Sequence, residues 1–254
     1  MASINIKDKK NIKTLSVIQS EVQSSNRIGL SVDCVIFGFD ENKLKVLLIK
    51  SDLKKYQERW SLLGDIVAPS EDLEEAAYRI LKERTGLKDV YLEQVHTFGA
   101  INRHPAARVV TVAYCSLINI RHHKLNILDN ELHWHEVKSI SELAFDHQEI
   151  LSTCYRRLQK RIQEHPLGFN LLPRKFSLRD LQNLYEAILD KKMDRRNFRK
   201  KIFSMDILVD LNEIEQSVPH RPGKLYRFNF NKYEKISNNG KALLFELKYL
   251  KTAF

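Results

Sequence analysis

Apolar and polar positions along the chain change their period several times, and each change predicts an element. Residues 30–40 (LSVDCVIFGFD) and 43–51 (KLKVLLIKS) are rich in β-branched and apolar side chains, with a polar Asp-Glu-Asn turn between them. That pattern predicts a β-hairpin near the centre of a sheet. Over 70–85 (SEDLEEAAYRILKERT) the apolar side chains fall at Leu73, Ala76, Ala77, Ile80 and Leu81, the spacing of an amphipathic helix. Ser70 is its expected N-cap and Gly86 its stop. Strand-like runs follow at YLEQVHTFGA and RVVTVAYCSLI, then a His-rich polar stretch and a short strand at HWHEV. A second amphipathic helix is expected over 146–165. Its stripe of Ile150, Leu151, Cys154, Leu158 and Ile162 would pack on the sheet, and Pro166 stops it.

Beyond Pro166 the texture changes. HPLGFNLLP carries Pro166, Gly168 and Pro173 and reads as a linker. Two helical patterns then come close together. One is capped by Ser177 and carries Leu178, Leu181, Leu184, Tyr185 and Ile188 on one face. The other is capped by Asp194, with Phe198, Ile202 and Phe203 expected to face inward. ILVDLNEIEQSV, a break at PHRPGK and KLYRFNF complete a hairpin with a basic tip. Helix, helix and hairpin in this order predict a winged helix-turn-helix. The expected division is an arm over 1–25, a first folded domain over 26–165, a linker over 166–173 and a DNA-binding domain over 174–254.

Composition sharpens this picture. At 254 residues with 43% hydrophobic positions, the chain can build two cores. Its formal charge of +10 calls for a polyanionic partner, and the cations are concentrated in KKMDRRNFRKKI. With Phe198 and Ile202 turned inward, Arg195, Arg196, Asn197, Arg199, Lys200 and Lys201 are candidates for contact with double-stranded DNA, joined by Arg221 and Lys224 on the hairpin. Arginine pairs with guanine edges and asparagine with adenine, while lysines suit phosphates. Cys34, Cys115 and Cys154 are odd in number, far apart and without metal-ligand spacing, so they are expected as reduced thiols of a cytoplasmic protein. No apolar run reaches the roughly 18 residues of a membrane span. His133 and His135 alternate on one strand but have no third ligand in register, so they read as a surface pair; His122 and His123 read as loop residues. No metal or cofactor is expected.

Residues 60–87, WSLLGDIVAPSEDLEEAAYRILKERTGL, resemble the Nudix box, G-x5-E-x7-R-E-U-x-E-E-x-G-U with U aliphatic, preceded by W-x-L-P-G. Anchored on Gly86, the box places Asp65 at its first Gly, Glu71 at its first Glu, Arg79 at its Arg, and Leu81 and Leu87 at aliphatic positions. The resemblance implies an N-terminal Nudix-like α/β/α sandwich. In active members the carboxylates of R-E-U-x-E-E hold a divalent metal; here those positions are Ile80, Glu83 and Arg84. Only Glu83 remains, and a guanidinium stands where a hard cation would bind. Without metal the usual hydrolysis is lost, so the chain is not expected to be an enzyme. Recruitment of Glu74 and Glu75 as substitute ligands is the alternative. Glu71 and Arg79 are expected to brace the loop against the helix, and Glu75 to pair with Arg79 at i,i+4. A degenerate cleft can still bind an effector, at Gly64, Asp65, Glu71, Glu83, Arg84, Arg103 and His104. Asp65 either accepts sugar hydroxyls or caps a turn.

Taken with LQNLYEAIL, DRRNFRKKI and RPGKLYRF, the whole chain resembles the Nudix-related transcriptional regulators of bacteria. This resemblance implies a homodimer whose Nudix domains sense a small molecule and whose winged helices bind a palindromic operator. Some members respond to ADP-ribose and others to sugars. The arabinose-responsive lineage is the nearest, so the expected effector is L-arabinose and the expected targets are sugar-utilisation genes. An ADP-ribose-responsive regulator of NAD metabolism and an active pyrophosphohydrolase are the alternatives. Movement on effector binding is expected at the 166–173 linker.

Overall fold

Strands β1 (Gly29–Asp40) and β2 (Lys43–Lys50) form the expected hairpin. Glu41 and Asn42 at its tip have φ of 50° and 60°, the left-handed pair that lets a two-residue turn follow the twist of its strands. The computed structural model describes residues 28–236 except 52, 54–55, 57–58, 89, 122, 124, 126–131, 165–170, 217 and 220. The 1–25 arm, His122, His220 and most of the expected linker therefore lie outside the described residues.

β1 is the centre of a seven-stranded sheet. On one side it runs parallel to β6 (Val109–Asn119), which pairs antiparallel with β5 (Glu93–Phe98). On the other side, β1 and β2 separate beyond the Phe37–Val46 pair. Two short strands enter the gap: β3 (Trp60–Ser61) pairs with β2, and β4 (Leu63–Ile66) pairs with β1. β7 (Leu132–Glu136) closes the outer edge of β2. This divergence opens the cleft described below.

Alternation along β1 sends side chains to two cores. Val32, Cys34 and Ile36 meet Ala76, Ala77, Ile80 and Leu81 of helix α1 (Leu73–Thr85), while Val35 and Phe37 share a core with Ile150, Cys154, Leu158 and Ile162 of helix α2 (His147–Glu164). The sheet is thus covered on both faces, and the stripe expected of α2 is the packed one. α1 begins at Asp72, not at the expected Ser70. Asp72 has extended backbone, accepts the Glu75 N–H, and has its own N–H bound by the Glu75 carboxylate, so the capping box starts two residues later. Gly86 ends the helix at φ 71°. All three cysteines are buried thiols without disulfides; burial raises each, Cys115 to about 12.

The C-terminal unit contains β8 (Phe176–Ser177), α3 (Leu178–Leu189), α4 (Arg195–Ser204), β9 (Leu208–Ile214), β10 (Lys224–Phe228) and α5 (Phe230–Ile236), with sheet order β8-β10-β9. Ser177 and Asp194 cap α3 and α4 as expected. Phe198 and Ile202 face inward, but Phe203 does not. One residue past the 198/202 stripe, it is 49% exposed and rests edge-on against Tyr226. Leu171 and Leu172, the end of the expected linker, are buried in a core shared with α2 and α3, and Asn119 donates to the Leu171 carbonyl at 2.6 Å. Those two positions are structural, not hinge-like. The seam is completed by Gln159 of α2, which donates to the Ile188 carbonyl of α3 at 3.1 Å, and by the Lys138–Asp190 ion pair.

Candidate functional site

Between the separated halves of β1 and β2 lies a cleft of about 330 Å³. Gly64, Asp65, Arg84, Arg103 and His104 line it together with Ser31, Asp33, Lys50, Ser61, Phe145 and His147. Glu71 and Glu83 do not line it. Gly64 has to be glycine: a Cβ there would lie 2.2 Å from Asp33 Oδ1 and 2.8 Å from the Val32 carbonyl. Asp65 is half-exposed at the rim, where Oδ1 accepts the Ile66 N–H at 2.7 Å and Oδ2 lies 3.8 Å from Arg79.

The floor is a buried charged network. Arg103 donates from Nε and Nη2 to the two oxygens of Asp146 at 2.8 Å each, and Nη2 also reaches Asp33 Oδ2 at 3.4 Å. His147 stands beside them with Nε2 3.5 Å from Asp33 Oδ1. Its Nδ1 accepts the Leu62 N–H at 3.0 Å. A backbone N–H can only donate, so Nδ1 carries no proton and the neutral ring directs Nε2–H at Asp33. Burial lowers the His147 pKa, in the same sense as this bond, since protonating Nδ1 would break it. The Arg103 guanidinium is thus committed to two carboxylates, and what it offers a ligand is position.

On the Nudix helix the box residues have other partners. Arg79 holds Glu71 through Nε and Nη2 at 2.8 and 2.7 Å, reaches Glu83 at 3.4 Å, and donates to the Ile66 carbonyl at 3.1 Å. The expected loop–helix brace is present. The expected Glu75–Arg79 pair is not, because Glu75 is held in the capping box. Ile80 is 1% exposed in the α1 core. Among the described residues no three of His, Cys, Asp and Glu converge on a point that could hold a metal. His133 and His135 both lie against the Trp60 ring, at 5.5 and 4.3 Å.

In the C-terminal unit, Arg195, Arg196, Asn197, Arg199, Lys200 and Lys201 are all exposed on α4. A groove of about 400 Å³ runs between α4 and the hairpin, lined by Arg195, Arg199, Arg221 and Lys224, and by Arg179 from the first turn of α3. Lys224 also pairs with Asp210 across the hairpin at 2.9 Å. Glu215 accepts the Gly223 N–H at 2.7 Å and shapes the hairpin tip that presents Arg221.

Two family models match these two units: the NUDIX domain over residues 27–158 and the NrtR DNA-binding winged helix domain over residues 168–228. The ADPR responsive transcriptional repressor NtrR of Acinetobacter baylyi is 32% identical over 210 residues, 81% of this chain and 84% of that protein. The chain belongs to the Nudix-related transcriptional regulators. The crystal structure of Shewanella oneidensis NrtR complexed with a 27mer DNA superposes with a TM-score of 0.66 at 27% identity, covering 80% of this chain and 95% of that one. The NUDIX domain of the same NrtR complexed with ADP ribose gives a TM-score of 0.51 at 26% identity, covering 57% of this chain and 99% of that one.

As a Nudix-related regulator, the chain is a DNA-binding transcriptional regulator with a Nudix sensor domain. The effector named for these relatives is ADP-ribose, not the L-arabinose expected from the sequence. Reading the sequence also missed Ser31, Asp33, Lys50, Ser61, Phe145 and His147 in the regulator's cleft, and Asp146 in the network at its floor. Asp33 did leave a signal, being a lone carboxylate inside an apolar strand, where a charge needs a partner. Arg179 was missed because it precedes Arg195 by sixteen positions and joins the basic helix only in the fold.

Proposed function

We propose that this regulator responds to ADP-ribose, bound without hydrolysis in the Nudix cleft, and governs genes of NAD metabolism. The observation that carries the reading is the 32% identity, over 81% of the chain, to a repressor described as responsive to ADPR. The chemistry of the cleft agrees. Lys50 and Arg84 bring positive charge for a diphosphate, Asp33 and Ser31 offer polar oxygens for sugar hydroxyls, and the rings of His104 and Phe145 form an apolar wall. A lone pentose has no use for two cations and fills only part of the space. The buried Ile80, and the engagement of Glu71 and Glu83 by Arg79, support binding without hydrolysis.

The signal to DNA runs through α2. Its head holds the cleft through Asp146 and His147, and Gln159 further along it holds the end of α3. A ligand that makes different contacts with two placements of α2 shifts the balance between them. Two copies of the chain would then present their α4 helices to half-sites about one DNA turn apart, on a palindromic operator in the cytoplasm.

A thermal-shift titration tests the effector. A ligand in hundredfold excess over its Kd, binding only the folded chain, adds about 2.7 kcal/mol of apparent stability. ADP-ribose is expected to raise the melting temperature and L-arabinose to leave it unchanged. A shift with arabinose alone overturns the reading. For hydrolysis, the expected result is no AMP or ribose 5-phosphate from ADP-ribose with Mg²⁺.

A further inference from the structure

Two neighbouring rings in the cleft wall come from distant parts of the chain. His104 lies in the loop between β5 and β6, and Phe145 just before α2. Their planes are 11° from parallel, with centroids 5.3 Å apart. Tyr56 and His147 each pack against Phe145, at 4.7 and 4.9 Å. Both His104 and Phe145 are half-buried, and both line the cleft. We propose that His104 and Phe145 form the stacking subsite for the heteroaromatic base of the effector. The inference rests on the nucleotide reading above and assigns one part of the ligand to one part of the cleft.

Three observations carry it. First, the residues adjacent to the two rings, Arg103 and Asp146, are joined by two 2.8 Å hydrogen bonds, so the ring pair is built into a buried clamp. Second, Phe145 has a φ of 54°. This is a left-handed backbone that favours glycine or asparagine, and a bulky residue there is a strained choice of the kind that gathers at binding sites. A glycine would serve the turn; a ring is needed only for what it touches. Third, the cations of the cleft, Lys50 and Arg84, come from β2 and the end of α1. They are suited to phosphates and leave the ring wall for the uncharged, planar end of the ligand. Burial, with the adjacent Arg103 guanidinium, holds the His104 pKa below its usual value, so the ring is neutral at pH 7 and stacks on a base without a charge to desolvate. Aromatic stacking with a base contributes about 1–3 kcal/mol, on the order of tenfold to a hundredfold in affinity.

The test is calorimetric titration of the full chain with ADP-ribose, AMP and ribose 5-phosphate, on the wild type and on Phe145→Asn and His104→Ala. Asparagine tolerates the left-handed backbone while removing the ring. The wild type is expected to prefer AMP over ribose 5-phosphate by about tenfold or more. Phe145→Asn should remove that preference and weaken ADP-ribose by a similar factor, with ribose 5-phosphate bound as in the wild type. A ring that served only packing would lower the melting temperature and leave the AMP preference intact, which overturns the proposal. Should Phe145→Asn fail to fold, His104→Ala reads the same preference, and its retention overturns the proposal equally. A wild type that binds ADP-ribose, with variants that bind it as well, sinks the stacking subsite alone. A wild type that binds neither ADP-ribose nor AMP sinks the nucleotide reading with it.

Discussion

Arg103 donates two 2.8 Å hydrogen bonds to Asp146, joining the loop after β5 to the head of α2 at the floor of the cleft. The Arg103 side chain is 4% exposed and that of Asp33, its second acid, 7%. Removing the guanidinium leaves two carboxylates with little water. Arg103→Ala is therefore expected to destabilise the chain by about 3 kcal/mol, the usual scale for a buried pair robbed of one member. Urea denaturation measures it; a loss below about 1 kcal/mol would mean that water already screens the group.

Gly64→Ala tests how closely β4 must approach β1. With Asp33 Oδ1 2.2 Å and the Val32 carbonyl 2.8 Å from the new Cβ, both a buried carboxylate and backbone have to move. The expected cost is about 2 kcal/mol in urea denaturation. Weaker ADP-ribose binding should accompany it, because Asp33 is displaced from the cleft floor. Unchanged stability would contradict the packing described.

Acid titration tests the brace on the Nudix helix. Arg79, followed by the Ala68 N–H, holds the Glu71 carboxyl at about 2, below the ordinary 4.5. A lowered carboxyl stabilises the fold fully above its ordinary value and loses that contribution as pH falls through the lowered one. Glu71→Gln should therefore melt below the wild type at pH 7, by a margin that narrows between pH 4.5 and about 2. A margin constant across that window would mean that the ion pair contributes nothing.

On the DNA side, exposed Arg196 of α4 is expected to read a base edge and Lys201 a phosphate. Arg196→Ala should cost about 1–3 kcal/mol in binding and relax specificity at one operator position. Lys201→Ala should weaken all sequences alike and reduce the salt slope by about one unit. Binding to a panel of operator variants at several salt concentrations separates the two; uniform weakening by both would show that Arg196 reads no base.

The fold was legible because its signals are local. The 28–51 hairpin, the spacing of the Nudix box and the two capped helices before the wing all lie in short windows. The cleft was legible only in part. Gly64, Asp65, Arg84, Arg103 and His104 converge as the box and its following loop implied, but Glu71 and Glu83 are drawn away by Arg79. The Glu71–Arg79 brace was expected; that Arg79 would pair with Glu83 on its i+4 side and not with Glu75 on its i−4 side followed from the capping box that holds Glu75. Asp33, Phe145, Asp146 and His147 come together through the docking of α2, in contacts such as His147 on Asp33 that link positions more than a hundred residues apart. The effector was the least legible feature: the residue types in the cleft suit sugars and nucleotides alike, and the ADP-ribose reading rests on the relative described as ADPR responsive.

The most direct test of the account is the affinity of the full chain for its operator duplex, by fluorescence anisotropy, with and without saturating ADP-ribose. The account predicts a change of about tenfold or more with ADP-ribose, the usual size of coupling between two sites, and none with L-arabinose. Equal affinity in the presence and absence of ADP-ribose would contradict it.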